Sequence, residues 1–200
     1  MPKAVLWDFG NVIVRWNPRT LYEKIFPDPA QRDRFLSEVC TLEWHAPTDC
    51  GVTFTENCAR LIAIHPHHEA EILAWRDRWS EMFSGAIAET EAAMAELQTR
   101  GIPQFGLSNI SHETLDSTLA MSPAFDLLQA YVASGLEGMM KPDPAIFQLC
   151  CDRFSLAPSE MLFVDDSARN IEAARGLGFA THHFTDPAAL RPALMGHGLL

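Results

Sequence analysis

The chain has 200 residues, 48% hydrophobic and 20% charged, which is the composition of a globular protein with room for one sizeable domain or a domain carrying a smaller insert. Lys and Arg number 15 against 26 Asp and Glu, a net charge of −11, so most of the surface repels a polyanion and nucleic acid is excluded as an expected partner. An anionic substrate would need a local cationic site or a metal ion to draw it in.

The first predicted element is a strand over residues 4–8. It is too short for a helix and too apolar for a surface strand, which fits the central strand of a covered parallel sheet. It ends on Asp8, and Gly10 then offers a permissive turn that can hold the carboxylate out toward a ligand. The start of the chain lacks the charged-then-apolar pattern of a signal peptide, and no apolar run approaches the roughly 20 residues that span a bilayer, so no membrane association is expected. Of five cysteines, Cys150 and Cys151 are adjacent and Cys40, Cys50 and Cys58 follow no metal-ligand spacing; the expectation is reduced thiols and a cytoplasmic location.

From Asn17 to about Ser84 the texture is helical, with predicted helices over 19–25, 29–39, 55–64 and 68–83. Asn17-Pro18 and Asp28-Pro29 place a capping residue and a proline at the first two starts, and Thr55 with Glu56 suits the third. This block reads as an all-helical insert. Within it, residues 43–54 mix aromatic, polar and glycine residues and read either as a plain connection or as a lid segment facing substrate. His65, His67 and His68 resemble a zinc cluster, but Pro66 interrupts them and no fourth ligand follows, so a solvated loop is expected. Trp75, Trp79 and Phe83 share one face at helical spacing and would suit the core of the insert or an interface, leaving monomer or homodimer open.

Beyond the insert, helices over 90–100, 112–121, 145–154 and 168–177 alternate with strands over 104–108, 130–133, 161–164 and 180–184, and a short closing helix follows Asp186-Pro187. That alternation predicts an α/β fold, a Rossmann-like parallel sheet with helices on both faces, made of residues 1–14 and 85–200, with the small helical cap over 15–84. Ligands of open parallel sheets bind outside the carboxyl ends of the strands. Those ends carry Asp8, Ser108-Asn109, the loop before Lys141-Pro142, and Asp165-Asp166. Taken singly, each has a bland reading: a turn, a helix cap, a solvated lysine. Together they suit phosphoryl transfer. An acidic pair near another carboxylate favours a hard cation such as Mg²⁺, Ser108 and backbone amides would hold phosphate oxygens, Lys141 would offset charge, and Asp8 would attack phosphorus.

Asp8-Phe9-Gly10-Asn11-Val12, Leu107-Ser108-Asn109, Lys141-Pro142-Asp143-Pro144 and Phe163-Val164-Asp165-Asp166-Ser167-Ala168-Arg169-Asn170 resemble, in order and spacing, the four motifs of the haloacid dehalogenase superfamily. The resemblance covers nearly the whole chain. It implies that Asp8 is nucleophile and Mg²⁺ ligand, that the Gly10 carbonyl and Asp166 are further ligands, and that Asp165 and Asn170 order the metal site. It also implies that Ser108, Asn109 and the Gly10-Asn11 turn meet phosphate, that Lys141 bridges phosphate and nucleophile, and that Trp44, Asp49 and Gly51 belong to the element closing over the leaving group. Arg15 and Trp16 are candidate substrate contacts, with a solvated arginine an equal reading of Arg15. One departure stands out: phosphatases of this superfamily carry a second aspartate two residues after the nucleophile, where this chain has Gly10. General acid–base help is worth about 10²- to 10⁴-fold, so its loss implies another proton donor or a good leaving group. The Asp-x-Gly-Asn-Val form resembles the subgroup that includes α-glucose-1-phosphate phosphatase, which makes a sugar 1-phosphate a reasonable small phosphorylated metabolite. Two other readings compete, a metal-free 2-haloacid dehalogenase, against which the acidic pair argues, and a non-catalytic binder of a phosphorylated metabolite, which Gly10 favours.

Overall fold

The computed structural model describes all 200 residues. Strands form in the order β1 (Ala4–Trp7), β2 (Val14–Trp16), β3 (Phe83–Ala86), β4 (Gln104–Ser108), β5 (Ala130–Ala133), β6 (Met161–Asp165) and β7 (Ala180–His183). Five of them make one sheet ordered β5-β4-β1-β6-β7, with every neighbouring pair parallel. The strand predicted over residues 4–8 is therefore central, hydrogen-bonded to β4 on one side and β6 on the other.

The period-2 side-chain alternation of β1 explains why the sheet is covered twice. Val5 and Trp7 enter one apolar layer with Met94 and Leu97 of a helix over Ala88–Thr99 and with Leu190 and Leu194 of the closing helix Pro187–Gly196. Ala4 and Leu6 enter the other, with Ile146 and Phe147 of the helix Pro144–Phe154 and Ile171 and Ala174 of the helix Ala168–Gly176. These are the helices expected on the two faces, within a residue or two at each end. No helix is long and apolar enough to cross a membrane.

The inserted helices run over Pro18–Ile25, Pro29–Glu38, Leu42–His45, Phe54–Ile64 and Glu69–Asp77. Asn17 and Asp28 cap the first two as expected, accepting from the Arg19 and Ala30 N–H groups at 3.0 and 2.9 Å. Elsewhere the expectations need correction. The third helix is capped by Thr53, which accepts from the Glu56 N–H at 3.2 Å, so it starts at Phe54. The segment 43–54 is mostly ordered as the helix Leu42–His45 and a 3₁₀ turn over Ala46–Cys50. The helix predicted over 68–83 ends at Asp77 and is followed by a 3₁₀ turn over Trp79–Met82. The Arg78 guanidinium on Glu81 at 2.7 Å and Lys24 on Glu81 at 2.8 Å tie that turn down. Residues 112–121 supply only a short helix, Leu115–Leu119.

Trp75 and Trp79 are buried with Leu21, Tyr22, Phe35, Phe54 and Ile72 in a core belonging to the insert, with Phe83 partly buried against it. His65, His67 and His68 lie on a 3₁₀ turn with none buried, as a solvated loop requires, and the five cysteines are unbridged. The chain leaves and re-enters the core through β2 and β3, which pair antiparallel with Val14 opposite Ala86 and Trp16 opposite Phe83.

Candidate active site

The last residue of β1 hands over to Asp8, whose N–H donates to the Val164 carbonyl at 2.9 Å, extending the ladder to the nucleophile candidate itself. The Phe9 N–H then donates to Asp8 Oδ1 at 2.7 Å. Phe9 packs edge-on against Phe125 and Tyr131, with centroids 4.9 and 6.2 Å away, and it fits because Gly106 of β4 has no side chain. A Cβ there would lie 2.5 Å from the Phe9 ring. The end of the strand is thus wedged in place on both sides of the carboxylate.

The turn differs from expectation in one respect. Asn11, not Gly10, takes the left-handed conformation, with φ 57°. Its Oδ1 accepts from the Trp16 N–H at 3.1 Å, so the amide ties the turn to β2 while the residue lines the pocket. A Cβ on Gly10 would meet nothing within 4 Å. The missing side chain leaves open space at the pocket wall.

Lys141 is 2% exposed, and its ammonium group lies 2.6 Å from Asp165 Oδ2, 3.0 Å from Asp8 Oδ1 and 3.0 Å from the Leu107 carbonyl. Its three donors each have an acceptor. Asn109 fixes the same residue through its backbone, Oδ1 accepting from the Lys141 N–H at 2.8 Å and Nδ2 donating to the Lys141 carbonyl at 2.9 Å. The side chain of Asn109 is thereby committed to holding Lys141, while the residue itself lines the cavity beside Ser108.

Asp165 is fully buried, and both of its oxygens are engaged: Oδ1 by the Ser167 N–H at 2.8 Å, Oδ2 by Lys141, and each by Asn170 Nδ2 at 3.1 Å. That is the arrangement of a residue that orders its neighbours. Asp166, partly exposed, lines the pocket with Asp8. Oxygens of Asp8, Asp165 and Asp166 all lie within 4.8 Å of one another, an oxygen-only donor set that suits a hard divalent cation. Burial pushes the Asp8 carboxyl up to about 8 against the pull of Lys141, with Asp165 and Asp166 adding to the rise. Burial and then Asp165 raise Asp166 as well, opposed by a hydrogen bond from Asn11. Burial works against the charge of Lys141, but the Asp165 and Asp8 carboxylates outweigh it and keep the group a cation.

Across from these residues the insert closes a cavity of 390 Å³ with Trp16, Leu42, His45, Ala46, Asp49 and Trp79. His45 stacks between Trp16 and Phe54, with centroids 6.0 and 5.8 Å away, and burial holds its pKa down to about 4. Its Nε2 is 3.5 Å from Asp49 Oδ1 and its Nδ1 is 3.1 Å from Thr48 Oγ1. Trp16 and Asp49 are where sequence placed them. Arg15 takes its solvated reading, exposed outside the cavity, and Trp44 lies off the cavity too, packed edge-on against Trp75 while its Nε1 donates to the Asn57 carbonyl at 3.2 Å. The helix Leu42–His45 turns the next residue, His45, inward instead, and the available signal was a polar residue beside an aromatic one at a helix end. Trp79 was also missed; it reaches the cavity because its Nε1 donates to Thr118 Oγ1 in the core at 3.2 Å.

A parallel sheet with an aspartate after its central strand, a buried lysine and an acidic pair at neighbouring strand ends defines a hydrolase class. The chain belongs to the haloacid dehalogenase-like hydrolase family, whose family model matches residues 2–178. Among curated proteins it is similar to the sesquiterpene phosphatase astK of Aspergillus oryzae, 25% identical over 187 residues, which cover 94% of this chain and 92% of that one. It is also similar to (S)-2-haloacid dehalogenase 4A of Burkholderia cepacia, 29% identical over 136 residues covering 67% and 55% of the two chains. Among solved structures, a family enzyme of Bacteroides thetaiotaomicron in complex with magnesium and inorganic phosphate superposes with a TM-score of 0.73 at 20% identity, over 95% of this chain and 99% of that one.

Proposed function

We propose that this chain is a Mg²⁺-dependent phosphomonoester hydrolase that works through an aspartyl phosphate on a small phosphorylated metabolite. The observation that carries the reading is the pairing of Asp8 with a fully committed Lys141 on one side and an open Asp166 on the other. Asp8, Asp166 and the Gly10 carbonyl would hold the cation. Bound there, Mg²⁺ would offset carboxylate charge and polarise the phosphate oxygens, an effect worth several kcal/mol. Asp8 Oδ forms the bond to phosphorus as the ester P–O bond breaks, and water then displaces the carboxylate. Lys141 balances charge on Asp8 throughout, and Asp165 and Asn109 keep Lys141 still.

A 2-haloacid handled without metal fits less well, because the clustered carboxylates of Asp8, Asp165 and Asp166 would repel the substrate carboxylate unless a cation sat among them. For the organic part of the ester, the motif resemblance favours a sugar 1-phosphate. A second reading, an apolar monoester, is favoured by Trp16, Leu42, Trp79 and Phe83 on the cavity wall and by the likeness to a sesquiterpene phosphatase. A phosphatase screen containing sugar 1-phosphates, isoprenyl monophosphates and simple alkyl phosphates, run with Mg²⁺ or a chelator and beside Asp8→Asn, tests the function and separates the two classes. Turnover should need the metal and fall to background in Asp8→Asn. Halide release from a 2-haloacid in the presence of chelator, with no phosphate released from any ester, would overturn the proposal.

A further inference from the structure

Gly10 leaves the core without a proton donor for the leaving group, and the open space around it holds no substitute from the core. On the opposite wall stands a single carboxyl, Asp49, 9% exposed and lining the cavity shared with Asp8 and Ser108. From this juxtaposition we infer that Asp49, supplied by the insert and flanked by His45, is the acid and base of the reaction. The inference rests on the phosphoester-hydrolase reading of the same site.

The geometry supports it in three ways. The 3₁₀ turn carrying Asp49 is seated against the core by a glycine-to-glycine approach: Gly51, at φ 94°, is close enough that a Cβ on it would lie 3.3 Å from the Gly135 carbonyl. Gly135 in turn is pressed on the segment after Ser108, where a Cβ would fall 2.6 Å from the His112 nitrogen and 2.7 Å from the Ile110 carbonyl. Asp49 is therefore held against the loop expected to grip phosphate, on the wall of the cavity it shares with Asp8 and Ser108. Second, the groups facing it leave the carboxyl unneutralised. His45, at 3.5 Å, is kept uncharged by burial, and Lys141 acts only from across the cavity. Third, burial lifts the Asp49 carboxyl to about 7, with Lys141 and the Ser111 N–H pulling the other way, so the group can hold a proton near neutrality and release it.

In the first step the Asp8 carboxylate forms its bond to phosphorus, the ester P–O bond breaks, and the carboxyl proton of Asp49 goes to the departing oxygen. In the second, the Asp49 carboxylate takes a proton from the water that attacks phosphorus, Asp8 leaves as carboxylate, and inorganic phosphate is released with Asp49 reprotonated.

The test compares kcat/KM of wild type and Asp49→Asn on p-nitrophenyl phosphate, whose leaving group needs no proton, and on an alkyl phosphate, whose leaving group does. The alkyl ester should lose about 10²- to 10⁴-fold and the aryl ester about tenfold or less. Because the space at Gly10 is open, Gly10→Asp in the Asp49→Asn background should restore part of the alkyl activity, which a merely structural role for Asp49 would not allow. Equal losses on both esters without rescue, or no loss on either, would overturn the assignment while leaving the hydrolase intact. A wild-type protein inert toward every ester would overturn the hydrolase reading and this inference with it.

Discussion

Burial decides how the carboxyls of this pocket ionise, and that makes their state visible in stability as well as in rate. Asp49 is raised to about 7 and Asp8 to about 8, so the native state holds protons that the unfolded chain gives up from about pH 4 upward. The stability this lends is complete below about pH 4 and is lost as pH rises through 7 to 8. His45 has the opposite sign: with a native pKa of about 4 it refuses a proton that the unfolded chain accepts below about 6.5, so it costs stability in acid. In metal-free protein, Asp49→Asn should flatten the decline of the urea midpoint between about pH 5 and 8 relative to wild type; a variant with the same slope or a steeper one would show that Asp49 is ionised throughout. At this scale the sequence was informative about which residues stand at the strand ends, because the sheet itself dictates that. It could not show that Asn109 is spent on the backbone of Lys141, or that His45 points inward and Trp44 away, since those outcomes depend on hydrogen bonds and rotations made across the fold.

Elements with a strong local signature were legible. β4 and β5 have the limits expected, and the proline-led helices start where Asn17 and Asp28 place them. The strands β2 and β3 were not, because Val14-Arg15-Trp16 and Phe83-Ser84-Gly85-Ala86 are too short to show alternation and owe their conformation to each other. The same cause spoiled the long helix over 68–83: its apolar spacing is helical, but Trp79 turns toward Thr118 and the chain must straighten at Phe83 to meet Trp16. The insert has its own core, and Trp75 stands at its centre, fully buried against Trp16, Tyr22, Trp44 and His45. Trp75→Ala should lower the unfolding free energy by about 3–5 kcal/mol, the usual cost of emptying a site of that size, measured by urea titration. A loss below about 1 kcal/mol would mean that the insert packs far more loosely than its ring contacts imply.

For the molecule as a whole, the architecture of a covered parallel sheet with a helical insert was readable because each apolar run repeats the same alternation. What was not readable is how the two parts communicate. Asn11 sits at that junction: its Oδ1 receives the Trp16 N–H at the first crossing from core to insert, and its side chain holds the Asp166 carboxyl down against the pull of burial. One amide therefore acts both on the strand on which the insert hangs and on a carboxylate expected to hold the cation. Whatever fills the cavity under the insert and whatever sits on the carboxylates bias the same bonds, and such influence is reciprocal: if one occupant tightens the other, the second must tighten the first by an equal factor. Mg²⁺ affinity, read by calorimetry, should accordingly rise about 5-fold or more when a phosphate mimic such as vanadate is present, the lower end of ordinary coupling between sites. Asn11→Ala should shrink that factor toward unity, and an unchanged factor would place the coupling elsewhere. Affinity for the organic part of a substrate would then be tunable by ionic conditions alone, without any change to the residues that touch it.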